Sequence, residues 1–171
     1  SDLKADLVVP VPDSGVPASL GFAKESGKQF ELGLIRNHYV GRTFIEPTQN
    51  IRSLGVKLKL SSTKTIVKNK SIILIDDSLV RGTTCHKIVK MLYEAGAKEV
   101  HVRIACPEIK FPDFYGVDMP TKKELLAHEK TLNEMCDYIK AKSLKFLSLN
   151  GLYLALIGSK RNSNYPQFSD H

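Results

Sequence analysis

Apolar residues along this chain come in short continuous runs, each followed by turn residues or by helical spacing. Leu7-Val8-Val9-Pro10-Val11 is a β-branched run without polar alternation, which predicts a strand buried on both faces. Gly15 to Lys24 carries small and apolar residues suited to a helix that ends near Gly27. Glu31 to Arg36 reads as a short strand, and Asn37 to Ser62 as a long loop with one helical turn. Ser71-Ile72-Ile73-Leu74-Ile75 is a second buried strand. Thr83 to Ala95 sets Ile88, Val89, Met91 and Leu92 on one helical stripe, and Gly96 supplies a left-handed stop. Glu99 to Ala105 predicts the next strand. Thr121 with Glu124, and Thr131 with Glu134, are capping boxes that should each open a short helix. Phe146-Leu147-Ser148 reads as the last strand, with a helix through Leu152 to Ile157 behind it. Ser159 to His171 is a polar tail expected to fray.

Strands alternating with helices predict an α/β domain, a mainly parallel sheet with helices on both faces. Such sheets bind ligands beyond the carboxyl ends of their strands. The chain has 171 residues, enough for one domain, taken as 1–158 with 159–171 as a tail. Cys85, Cys106 and Cys136 are odd in number and form no CxxC pair, so a reducing, cytoplasmic setting is expected, without disulfides or zinc. No apolar run reaches membrane-spanning length and no signal peptide opens the chain. Residue 1 is Ser, which fits a fragment or a processed product. The formal net charge of +7 admits an anionic partner: nucleic acid, an acidic surface or a phosphorylated metabolite. The basic residues are scattered, which suits solvated surfaces. His38, His86, His101 and His128 are scattered too and suggest no metal site.

Chemistry concentrates in Ile72 to Thr84, IILIDDSLVRGTT. Asp76 and Asp77 follow a buried strand, where carboxylates are costly without a metal, hydroxyl or backbone partner. Ser78 to Thr84 then leads into a helix N-terminus, whose free N–H groups make an anion site. Gly82 allows close approach of a phosphate, and Thr83 and Thr84 offer hydroxyls, one of which can also cap the helix. A ribose 5-phosphate spans such a pair of sites. The plain alternative is an ordinary strand-to-helix loop with Thr83 as its cap. Neither GxxxxGK nor GxGxxG occurs in the chain.

Two acidic residues after an apolar strand, then Ser-x-x-x-Gly-Thr-Thr, resemble the phosphoribosyl-pyrophosphate (PRPP) motif of type I phosphoribosyltransferases. Longer stretches are similar to the glutamine PRPP amidotransferase family: Pro10 to Gly15, Arg36 to Ile45, Asp76 to Thr84, Phe114 to Thr121 and Ser148 to Leu152. These motifs follow one another in order across roughly residues 5 to 158. The resemblance implies the type I phosphoribosyltransferase fold. It also implies a purine-synthesis reaction in which PRPP and ammonia give 5-phosphoribosylamine and pyrophosphate. In that family the ammonia comes from glutamine on an upstream glutaminase domain that begins with a catalytic Cys. No counterpart of that domain stands in this chain, so free ammonia is the expected donor.

By the same resemblance, Asp76 and Asp77 face the ribose hydroxyls and Mg²⁺, and Ser14 is a third contact to the metal. Ser78, Val80, Arg81, Gly82, Thr83 and Thr84 bind the 5-phosphate, largely through backbone N–H groups. Arg42 and Lys59 are candidates for the pyrophosphate. Asn37 to Ile45 corresponds to a loop that closes over PRPP, with Tyr39 as its cover and Gly41 as its pivot. Plainer readings stand beside these: Ser14 as a turn residue, Lys59 on a basic face with Lys57 and Lys64, and a static loop. The family usually has Lys where Arg36 stands. An iron–sulfur ligand of some members falls at Asp113 here, and the C-terminal Cys pair is missing, so no cluster is expected. The resemblance further implies purine nucleotide feedback inhibitors and a homo-oligomer, with no nucleic acid and no membrane partner. Two rival readings are a PRPP-sensing regulator, which need not keep the Arg36 to Ile45 loop, and a nucleobase salvage enzyme. The latter needs a base-binding hood, and no such segment is evident.

Overall fold

The computed structural model describes residues 3–36, 60–112 and 121–162, with Asn164 and Phe168; of residues 60–62 it describes the backbone. Among the described residues, five strands make one sheet: β1 (Leu7–Pro10), β2 (Gln29–Phe30), β5 (Ser71–Asp76), β6 (Glu99–Ile104) and β7 (Ser143–Phe146). Their order is β2-β1-β5-β6-β7, and every neighbouring pair is parallel. β3 (Leu34–Arg36) and β4 (Leu60–Ser62) form a separate antiparallel pair. The helices are α1 (Val16–Ser26), α2 (Lys64–Val67), α3 (Thr83–Glu94), α4 (Leu126–Glu129), α5 (Leu132–Ile139) and α6 (Leu149–Ile157), with a 3₁₀ turn at Lys122–Glu124. No described helix is long and apolar enough to cross a membrane.

Both faces of the sheet are covered, which is why β1 and β5 are continuously apolar. Val8, Ile73 and Ile75 pack with Ala18, Phe22 and Ala23 of α1. On the other face Val9, Ile72 and Leu74 meet Ile88, Val89 and Leu92 of α3 and Met135 and Ile139 of α5. Val8, Val9, Ile72, Ile73 and Leu74 are wholly buried, each contributing about 2 kcal/mol by removal from water. This packing fixes the strand ends that carry the candidate chemistry.

The structure corrects several element boundaries. Glu31 to Arg36 is not one strand. The chain pairs with β1 through Gln29–Phe30, turns, and re-forms as β3 in the smaller sheet. Gly33 sits in that turn, where an added Cβ would press on Val9 and Val67. The predicted loop to Ser62 ends instead in β4, and a short helix, α2, follows it. The last strand is Ser143–Phe146, not 146–148; Ser148 is the N-cap of α6, accepting from the Gly151 N–H at 3.0 Å. Both capping boxes form, but the first opens a 3₁₀ turn rather than an α-helix. In the tail, the Phe168 ring stands edge-on to buried Tyr153 at 5.4 Å.

Candidate functional site

β1 lies between β2 and β5, so chain connections leave it in opposite directions. The loop after β1 feeds α1 on one face, and the loop after β5 feeds α3 on the other. The crevice between diverging loops at such a switch point is where ligands bind in open α/β sheets. Ser14, Asp76, Asp77 and the residues to Thr84 all stand on these two loops.

The loop after β1 is held close to β5. The Val11 N–H donates to the Ile75 carbonyl at 2.8 Å, and the Gly15 N–H donates back to Val11 at 2.9 Å. A Cβ on Gly15 would collide with the Ile75 carbonyl oxygen and stand 2.9 Å from that of Val11. Glycine is therefore required by space. The tight path presents the Ser14 hydroxyl, which donates to Asp77 Oδ1 at 3.1 Å, across 63 residues of sequence. Asp13, next to it, forms an ion pair with Arg36 at the end of β3. The peptide between Pro12 and Asp13 is cis.

The two adjacent carboxylates differ sharply. Asp76 closes β5 and is buried, whereas Asp77 is exposed. The Asp77 N–H donates to Asp76 Oδ1 at 3.0 Å, which is Asp76's local partner. Burial pushes the Asp76 carboxyl up to about 8, and the hydrogen bond and charge of the Asp77 side chain push the same way. The Asp77 N–H works in the opposite sense without overcoming them. Burial beside a second carboxylate therefore favours the protonated form of Asp76. Burial also raises the Cys85 thiol to about 12 and Cys106 to about 11, which leaves both without nucleophilic character.

From Ser78 to Gly82 the chain is pinned at three points. Leu79 is buried in the core. The Val80 carbonyl accepts from the Leu126 N–H at 2.9 Å. Gly82 takes a positive φ of 74° and lies against Leu126 and Tyr138, where an added Cβ would stand 2.6 Å and 3.0 Å from their side chains. Gly82 is the N-cap of α3 and no side chain caps that end. The expectation that Thr83 or Thr84 caps the helix is thus corrected: both lie inside it, and the cap position belongs to the glycine. The first backbone N–H groups of α3 have no side-chain cap at this turn, a setting that can receive an anion. The Arg81 side chain turns away to Glu124, with Nε and Nη2 each 3.1 Å from the same carboxylate oxygen.

The structure thus brings Ser14, Asp76 and Asp77 together at one end of the crevice, with Ser78, Val80, Arg81, Gly82, Thr83 and Thr84 along the following loop. Tyr39, Arg42 and Lys59, the whole loop Asn37 to Ile45, and Asp113 lie outside the described residues. Two partnerships had escaped the sequence. Arg36 with Asp13 has no local signal, since β3 must be docked before they meet. Glu124 was legible only as the end of a capping box, a role it does fill, with Thr121 N–H donating to it at 3.1 Å.

Comparison with known proteins agrees with this geometry. The family model described as "Phosphoribosyl transferase domain" matches residues 1–111. An amidophosphoribosyltransferase of Rhizobium etli is 59% identical across 100% of this chain and 35% of its own length. One from Methanocaldococcus jannaschii is 55% identical over 89% of the chain and 32% of its own length. The solved glutamine PRPP amidotransferase of B. subtilis, complexed with ADP and GMP, superposes with a TM-score of 0.83 at 48% identity, over 96% of this chain and 36% of that one. The chain spans about a third of the length of these relatives. With the parallel sheet, the switch-point crevice and the family match in agreement, the chain belongs to the phosphoribosyl transferase domain family.

Proposed function

We propose that the crevice between the β1 and β5 loops binds PRPP with Mg²⁺ and transfers an amino group to it, giving 5-phosphoribosylamine and pyrophosphate. The observation that carries this reading is that the β5 loop joins two carboxylates to a glycine-capped helix N-terminus with no side-chain cap, while the β1 loop brings the Ser14 hydroxyl to Asp77. The carboxylate end suits ribose hydroxyls, and the helix end suits the 5-phosphate. The oxygen-only donor set at Ser14, Asp76 and Asp77 fits a hard cation such as Mg²⁺. Among the described residues no three His, Cys, Asp or Glu side chains converge on a metal, so a cation here would complete its shell with water and ligand phosphates. When bound, Mg²⁺ would supply charge to the departing pyrophosphate. Asp77 and Asp76 would orient the ribose while positive charge develops on its ring, and the Ser78 to Thr84 backbone would hold the 5-phosphate still. Arg81 would act there through its backbone, because its side chain is engaged by Glu124. Arg42 and Lys59 are proposed for the pyrophosphate and Tyr39 for the covering loop.

Ammonia is already a nucleophile, so the reaction requires no strong general base. In a longer protein the ammonia would come from glutamine on a separate domain, and purine nucleotides would act as feedback ligands. The test is pyrophosphate release by the 171-residue chain from PRPP, Mg²⁺ and ammonium at mildly alkaline pH. Turnover is expected, and Asp77→Asn should lower PRPP affinity by about 100-fold with little change in thermal stability. Absence of turnover in a folded sample that binds PRPP would sink the claim that this chain is catalytic by itself.

A further inference from the structure

The Ser14 side of the site is fastened from outside the main sheet. Between the backbone bonds at Val11 and Gly15, the Pro12–Ser14 segment has few ties among the described residues. The Asp13 carbonyl accepts from Val16 N–H at 3.3 Å, Ser14 Oγ reaches Asp77, and the Asp13 carboxylate is gripped by Arg36. Arg36 closes β3, so this ion pair links the metal-facing loop to the smaller sheet. The side chain of Asp13 is 57% exposed and that of Arg36 33% exposed, so the pair contributes little to folding stability. The Arg36 Nε is nevertheless buried and has no hydrogen-bond partner among the described residues, where the ionic tie of the guanidinium is to Asp13. A charge pair that gains little stability but spans two sheets acts on position.

We propose that Arg36 is a positioning residue: through Asp13 it sets the Ser14 hydroxyl beside Asp77, and so sets how tightly the carboxylate end takes Mg²⁺ and PRPP. This role rests on the PRPP reading above. Loss of the guanidinium frees the Asp13 carboxylate and lets Pro12–Ser14 drift, and Ser14 then no longer completes the oxygen set. Lysine at position 36 keeps the charge but offers a single ammonium in place of a planar fork.

The experiment is calorimetric titration of PRPP into the 171-residue chain at a series of Mg²⁺ concentrations. It compares wild type, Arg36→Gln, Arg36→Lys, Asp13→Asn and the Asp13→Asn/Arg36→Gln double variant. Arg36→Gln and Asp13→Asn should each raise the Mg²⁺ concentration for half-maximal PRPP binding about tenfold, as loss of an outer support of a metal site does. Arg36→Lys should recover most of that loss. The double variant should be no worse than either single one, because both residues act through one link. Thermal midpoints should stay close to wild type throughout. An unchanged Mg²⁺ requirement in Arg36→Gln and Asp13→Asn, beside a wild type that binds, overturns the positioning role alone. So do losses that add in the double variant. A wild type that binds no PRPP overturns the underlying reading, and the positioning role with it.

Discussion

At the amino end of the parallel sheet, Asp6 accepts from the Ser71 N–H at 2.8 Å, and Glu99 gathers Ser71 at 3.4 Å, His101 at 3.5 Å and Lys142 at 3.7 Å. At the carboxyl end, among the described residues, Asp76 is buried with one backbone donor, and Asp77 receives a single serine hydroxyl. The same strands therefore end in two kinds of polar cluster. Carboxylates at the amino end find partners within the chain and help hold β1 to β5 and β6 to β7. Those at the carboxyl end are placed by tight backbone, chiefly at Gly15, and keep bonding capacity in reserve. The difference teaches where to look for a site: at the sheet end whose carboxylates the fold positions without satisfying.

The contrast can be broken most directly at Gly15. Gly15→Ala drives a Cβ into the Ile75 carbonyl and should cost about 3 kcal/mol, read by urea unfolding. Wild-type stability in that variant would show that the loop is not tightly placed. Asp76 gives the next largest effect. Its carboxyl titrates near 8 when folded and in the ordinary carboxylate range when unfolded, so the folded chain holds the proton more tightly. The ligand-free protein should then lose stability as pH rises from about 4 to about 8, and lose no more above that. Asp76→Asn removes this loss. At pH 9 its thermal midpoint should lie above that of wild type, with the gain vanishing below about pH 4. A pH-independent difference would break the assignment. The smallest effect is expected at the amino end. Asp6→Ala should cost about 1 kcal/mol by stranding the Ser71 N–H, with PRPP affinity unchanged. Loss of PRPP affinity there would erase the division between the two ends.

Much of this was legible along the chain because the signals are local. The apolar run ending in Asp76-Asp77 marks a buried strand and its mouth, and Thr121 and Thr131 announce their caps within four residues. Other elements escaped for equally physical reasons. α2 is four residues long, too short to show a helical period. β7 is an edge strand with Lys145 exposed, so its half-buried Ser-Leu-Lys-Phe carries a weaker apolar signal than the buried runs. The break between β2 and β3 depends on Gly33 fitting against Val9 and Val67, which come near only after the sheet has formed.

Local propensity and apolar patterning were enough to order the strands and helices, to set two carboxylates at a strand's end, and to put a glycine before a helix. Those features need only neighbouring residues. Folding alone decided which groups meet. Ser14 reaches Asp77 because β1 and β5 pair in parallel, and Arg36 reaches Asp13 because the end of β3 lies against the loop after β1. It also separated the roles of Asp76 and Asp77, identical in chemistry and adjacent in the chain. The last residue of β5 is drawn into a low-dielectric interior while the next one faces water, and burial is a property of the assembled layers rather than of either residue.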